Sequence, residues 1–298
     1  MTRFIAALSL AAVATVATAV GQEPASPEPA VAEPAAQASA AEDAQPLRIV
    51  FQGGRTVSLE ALKVEGDQFV VVSAEGDLTV GQKVPIAAAD HMFGDKPAAV
   101  NEGIALLLLG NSEKAIATLE PVLESQKVTA SVPGNFWLES ARGAVLAYAN
   151  MANGPKVDAL LKELKETNKG KGTDTLGDLA KVLMLPSATK IEQKVAAFDA
   201  LINDVSPTDV AAYATYFKGE ALKKAKRDVE ASESFLVAPT LYPTGNGVLN
   251  GAAELSASEF LIRKNRVDEA VSLLNSAARS APNTSVATEA QKRLQSVK

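Results

Sequence analysis

The chain has 298 residues, a formal net charge of −6, no cysteine and a single histidine, His91. This inventory excludes disulfides, thiolate zinc sites and cysteine nucleophiles, and it removes most histidine-based metal and general-base schemes. The acidic balance argues against an extended basic face for nucleic acid. An aromatic content of 5% beside abundant alanine favours close helix–helix packing over a sheet sandwich.

Taken in order, the chain opens with one positive charge, Arg3, and an uncharged stretch rich in Ala, Val and Leu. Ala17-Thr18-Ala19 gives the small-x-small pattern of a signal-peptidase site, so residues 1–19 are expected to be a signal peptide and the protein exported, periplasmic or secreted. The alternative is an uncleaved anchor over residues 4–20, at the short limit for spanning a bilayer. After cleavage no membrane span is expected, and no cysteine follows that would carry a lipid. Residues 20–46 are built of Ala, Pro, Glu, Gln and Ser without apolar periodicity, which predicts a disordered, semi-extended linker.

Residues 47–94 change character. The runs 47–52 and 55–59 are β-prone and joined by Gly53-Gly54, the chemistry of a two-residue hairpin turn. Further strands are expected over 62–65, 68–74 and 78–85, punctuated by Glu-Gly-Asp at 65–67 and again at 75–77. Together they predict a small antiparallel β module, a meander or an SH3-like barrel, with Val70–Val72 as its most buried stretch. The acidic turns lack the twelve-residue loop of a calcium site. His91 is placed between the sheet and the first helix and reads as structural or surface-lying.

From residue 95 to 298 the pattern is helical. Residues 98–109 are apolar nearly all round, which implies burial on more than one side, and the β module is expected to pack on this first hairpin. Gly110-Asn111 breaks it, and Ser112 can cap a second helix to about Gln126. Residues 135–151 and 156–167 form another pair around Asn153-Gly154-Pro155, with Trp137 expected in the core. Gly170-Lys171-Gly172-Thr173 lacks the order and the preceding strand of a phosphate loop. Residues 176–185 and 191–204 read as a degenerate pair interrupted by Pro186. Pro207 starts a long helix that breaks around Lys226–Asp228, and its partner helix is stopped by Pro243. Residues 251–264 and 267–281 follow as a further pair, then a more polar helix over 284–297 suited to capping a repeat array.

One spacing recurs through this part. Gly219, Leu222, Ala231, Phe235 and Ala238 are matched by Gly103, Leu106, Ala115 and Leu119, and by Ser258, Leu261, Ala270, Leu274 and Ala277. Small residues let two helix backbones approach while the larger ones fill the seam. With Pro243 the stretch 212–245 resembles one tetratricopeptide (TPR) repeat, a 34-residue helix–turn–helix unit. It departs from that pattern at Thr215, where Trp is usual, and at Lys218, where Leu is usual. Ala281-Pro282-Asn283-Thr284-Ser285 with Ala287, Ala290 and Leu294 resembles the end of envelope-associated TPR proteins that coordinate outer-membrane assembly.

The resemblance implies a mainly α, TPR-like helical-hairpin solenoid whose concave face, lined by the first helix of each pair, holds a protein or peptide partner. The stripe that would face such a partner carries Tyr213, Tyr216, Glu220, Lys223 and Lys224, continued by Leu255, Glu259, Ile262 and Arg263. Two tyrosines beside two lysines offer aromatic area and charged hydrogen bonds for a backbone or carboxylate. Alternatively, both tyrosines pack between hairpins with their hydroxyls reaching water. The expected function is a non-enzymatic interaction scaffold of the cell envelope with no cofactor and no metal. The alternative is a structural envelope protein that binds carbohydrate or peptidoglycan through the β module. Hydrolase chemistry is disfavoured, because no GxSxG, HExxH or GxGxxG motif is present.

Overall fold

In the computed structural model, residues 45–167, 172–203, 208–242 and 246–297 are described. The expected signal peptide, nearly all of the linker, Lys171, Pro207 and Pro243 lie outside these residues.

The strands come first. β1 (Arg48–Phe51) and β2 (Thr56–Ser58) form a hairpin, and β6 (Ala89–Phe93) adds to the other edge of β1, giving an antiparallel sheet of order β2-β1-β6. β3 (Leu62–Glu65), β4 (Gln68–Val71) and β5 (Lys83–Pro85) form a second antiparallel sheet in sequence order. The first hairpin turn takes three residues rather than two. Phe51 N donates to Arg55 O at 2.8 Å and Gly54 N to Phe51 O at 3.0 Å, so Gln52 joins both glycines in the loop. Gly53 and Gly54 adopt φ of 96° and 82°, a region where a Cβ would be strained. In the second hairpin Glu65 pairs directly with Gln68 around Gly66 and Asp67, as the first Glu-Gly-Asp turn implied.

Ile49, Phe51, Val57, Leu62, Phe69, Val71, Leu78 and Met92 make one core between the sheets. The expected burial of Val70–Val72 holds at Val70 and Val71 and fails at Val72. Phe69 and Val71 share the inner face of β4, whereas Val72, just past the end of the strand, is 44% exposed. His91 lies within β6, exposed, with Nδ1 2.8 Å from Asp90 Oδ2; it is therefore a strand residue and not part of the connection to the helices.

Eleven α-helices follow among the described residues: α1 (Ala98–Leu108), α2 (Ser112–Gln126), α3 (Trp137–Asn150), α4 (Gly154–Thr167), α5 (Thr173–Leu183), α6 (Ile191–Asn203), α7 (Thr208–Lys224), α8 (Asp228–Leu241), α9 (Gly247–Arg263), α10 (Val267–Ser280) and α11 (Ser285–Val297). The protein is mainly helical with a small antiparallel sheet region. Each helix packs on the next, and α1, α3, α5, α7 and α9 also touch one another in that order.

Four of the hairpins close with the same turn. The N–H of Asn111 bonds Leu106 O, that of Asn153 bonds Tyr148 O, that of Arg227 bonds Leu222 O and that of Arg266 bonds Leu261 O, at 2.8–2.9 Å. The residue before each donor is left-handed: Gly110, Ala152, Lys226 and Asn265, with φ of 81°, 55°, 59° and 57°. This six-to-one bond with a left-handed residue is the Schellman stop, which satisfies the last carbonyls of one helix and sets the angle of the next. Between α5 and α6 the connection is longer, consistent with Pro186 interrupting that pair.

The seam residues meet as their spacing required. A Cβ added to Gly219 would lie 2.8 Å from Phe235 Cε1, and one added to Gly103 would lie 2.5 Å from Leu119 Cγ. Ala115, Leu119, Ala231, Phe235, Ala270, Leu274 and Trp137 are all buried.

The all-round apolarity of α1 has a different origin from the one expected. Its faces are covered by α2 and α3 on one side and by α9 and α11 on the other. The β core is reached instead by Val132, in the connection between α2 and α3, and Met92 N donates to Pro133 O at 2.8 Å. The last helix is not a free end either. Ser285, at the start of α11, donates its N–H to Glu102 Oε2 of α1 at 2.8 Å, and its hydroxyl donates to the other oxygen of the same carboxylate.

Candidate functional site

The seven residues singled out on the helices separate into four environments. Tyr216, on α7, is 1% exposed, and its hydroxyl donates to Leu108 O at 2.7 Å, at the end of α1. Burial raises its phenol pKa far above the usual range. Tyr216 is thus a core residue that ties α7 to α1, not an open platform. Tyr213 is partly buried, stacks on Phe217 at 6.5 Å with rings 21° apart, and accepts a hydrogen bond from Asn246 Nδ2 at 3.3 Å. Both tyrosines pack between helices, as the alternative had it, but the Tyr216 hydroxyl meets the Leu108 carbonyl in the interior and does not reach water.

Lys223 and Glu259 belong to an ion network joining three helices. Lys223 Nζ on α7 lies 2.7 Å from Glu259 Oε2 on α9, and Arg293 on α11 reaches Glu259 Oε1 at 2.6 Å and Glu289 at 2.9 Å. Burial pushes the Glu259 carboxyl up, but the Lys223 bond and charge with the Arg293 guanidinium outweigh it and hold its pKa below the usual glutamate value. Lys223 is therefore engaged between α7 and α9, where the expected stripe had it offering its charge to a partner. Arg293 escaped the sequence reading because α11 reads as a polar cap, and only its packing beside α9 reveals the partner. Arg263 sits on another edge, stacked on Phe260 at 4.6 Å and 3.2 Å from Asp228.

Glu220 and Lys224 fall together in a cleft of about 290 Å3 between α7 and the α5–α6 pair. Phe198 and Phe217, both buried, form part of its apolar wall. Thr189 and Ser187, in the long α5–α6 connection, contribute hydroxyls. Lys194 of α6 lines the same cleft. Among the described residues, neither Lys194 nor Lys224 makes an ion pair, whereas Lys218 and Lys223 on α7 do. Glu220 is partly buried and its pKa is raised, first by burial and also by Glu259, against the pull of Lys223 and Lys224. Lys194 was missed in the sequence because the degenerate pair offered no register against which to place its faces.

The cleft therefore presents two ammonium groups, hydroxyls and an aromatic wall around one carboxyl of raised pKa. Groups of this kind can form charge-assisted hydrogen bonds to an anionic or amide-bearing ligand. No group of three or more His, Asp or Glu residues able to hold a metal ion occurs among the described residues, and none of their helices is long and apolar enough to cross a membrane. Comparison of the chain with protein-family models, with curated proteins and with solved structures finds no match.

Proposed function

We propose that this chain is a non-enzymatic, TPR-like scaffold of the cell envelope that holds a protein or peptide partner in the cleft between α5–α6 and α7. The observation that carries the reading is that Lys194 and Lys224 line one cleft with an apolar wall, where neither is locked in an ion pair among the described residues. The rest of the expected stripe is engaged internally, so the partner surface moves from the α7–α9 face to the place where the degenerate pair opens the array. Four hairpins with one turn geometry support the solenoid reading. The envelope location rests on the expected signal segment, and N-terminal sequencing of the exported protein should find a start near Val20.

The test is photo-crosslinking from position 194, followed by affinity measurement with the captured partner. Lys194→Ala/Lys224→Ala should weaken binding by roughly tenfold or more, since each charge-assisted bond contributes on the order of 1.5–3 kcal/mol. The wild-type affinity should fall as salt rises, and the thermal midpoint of the variant should stay put. Unchanged affinity in the double variant, or loss of binding on removing residues 47–88 alone, refutes the cleft.

A further inference from the structure

Among the described residues lining the cleft between α5–α6 and α7, Glu220 is the only one with a carboxyl group. It stands one turn before Lys224 on α7, and Lys194 of α6 lines the same cleft. Its side chain is 23% exposed, and no hydrogen bond to its carboxyl is present among the described residues. Its ion pair with Lys223 is long, 3.9 Å, and Lys223 is already held at 2.7 Å by Glu259 of α9. A largely buried acid with its hydrogen-bonding capacity unspent thus shares a cleft with two ammonium groups that are not in ion pairs.

The helices packed on α7 set the charge around this acid. Burial, the largest influence, and Glu259 of α9 favour its neutral form, while Lys223 and Lys224 of α7 itself favour the ionised one. α6 brings Lys194 to the cleft, and α5 brings only the apolar Val182 and Leu183. Asp199 of α6 is paired with Lys218, and both line a separate cleft with Glu230 and Glu233 of α8.

We infer, resting on the reading of this cleft as the partner site, that the partner presents an acidic side chain between apolar ones and that Glu220 takes up a proton as it binds. Ammonium groups only donate hydrogen bonds, so two free ones call for an acceptor, and their charge selects an anionic one. Leu183, Phe198 and Phe217 supply apolar surface for its neighbours. An ionised Glu220 competes with the incoming carboxylate for these donors and repels it, because two carboxylates sharing a site raise the pKa of one of them. Once protonated from solvent, Glu220 loses its charge and gains an O–H that donates to the ligand carboxylate. Proton and ligand therefore strengthen each other's binding by the same factor. The interaction tightens as pH falls, down to the range where the ligand's own acid is protonated.

The probe is a blocked peptide with one aspartate between two leucines, titrated into the full chain beside its asparagine counterpart. From about pH 7.5 to about pH 5.5 the probe's aspartate stays ionised, and its dissociation constant should fall by roughly fivefold or more. The asparagine peptide should bind roughly tenfold more weakly at the lower pH. Glu220→Gln should bind the aspartate peptide at the higher pH about as tightly as wild type does at the lower, with its pH dependence gone. His91→Gln, on β6, should behave as wild type, which sets aside the chain's single histidine. A wild-type dissociation constant independent of pH, a pH dependence that survives Glu220→Gln, or no saturable binding of the aspartate peptide overturns the inference. The cleft is judged separately. If a partner crosslinked from position 194 still loses affinity in Lys194→Ala/Lys224→Ala, the cleft stands and only the proton-linked acidic ligand falls.

Discussion

Gly219 and Phe235 should show a reversal of sign in a double-mutant cycle. Gly219 lies in the middle of α7, where replacement by alanine ordinarily gains about 1 kcal/mol of helix propensity. In this protein the new methyl would sit 2.8 Å from Phe235 Cε1 and 3.0 Å from two more ring carbons. The ring cannot swing aside, because Tyr216 packs on it at 5.4 Å and Phe260 at 6.1 Å. Overpacking of this kind costs about 1–3 kcal/mol, so Gly219→Ala alone should be neutral to destabilising by about 2 kcal/mol. Phe235→Ala alone should cost about 3–5 kcal/mol, since the ring is fully buried. With the ring gone the clash is gone, and adding Gly219→Ala to Phe235→Ala should now stabilise by about 1 kcal/mol. Urea midpoints of the four proteins supply the cycle. A Gly219→Ala effect of the same sign and size in both backgrounds would show that the two residues do not share a seam.

Tyr216→Phe should cost about 1–2 kcal/mol, measured by urea unfolding, because it strips the Leu108 carbonyl of a buried donor. Ala152→Gly should stabilise by up to about 1 kcal/mol, by releasing a left-handed residue with a Cβ, while Gly110→Ala at the equivalent turn position should destabilise; thermal midpoints that move the other way would contradict the shared turn. The Glu75 carboxylate accepts from Ser58 N and pairs with Arg48. Its pKa is lowered from 4.5, first by the Ser58 bond and then by Arg48, against burial. A depressed acid contributes stability that is present above its unfolded value and lost as pH falls through its folded value. Hydrogen-exchange protection of β2 should therefore exceed that of Glu75→Gln at neutral pH, with the gap closing as acidification passes below the ordinary glutamate value of 4.5 and through the lowered one.

The local features of this protein were legible in its residues for a physical reason. Helix stops are written by neighbours in the chain, so Gly110-Asn111, Lys226–Asp228 and Asn153-Gly154-Pro155 mark the turns the structure contains. Seams between the helices of one hairpin join residues sixteen apart, as in Gly103 with Leu119 and Gly219 with Phe235, and a fixed spacing shows in the sequence. Strand alternation carried less, because Val72 looks identical to Val70 until the sheet decides which of them is covered.

What tertiary structure alone decided is what meets across long separations. The bond from Tyr216 to Leu108 spans 108 residues, and that from Ser285 to Glu102 spans 183. No periodicity encodes such a choice. An apolar helix such as α1 announces that it will be covered, but the hydrophobic effect has no direction and names no partner. Tyr216 is buried where α7 meets the end of α1, against Phe217 and Phe235. The seating of α11 beside α9 brings Arg293 to Glu259, which Lys223 also holds, and so takes these residues out of the expected binding stripe. Lys194 and Lys224 remain because the irregular α5–α6 pair leaves a cleft there, and their meeting depends on how two helices pack rather than on any spacing within one.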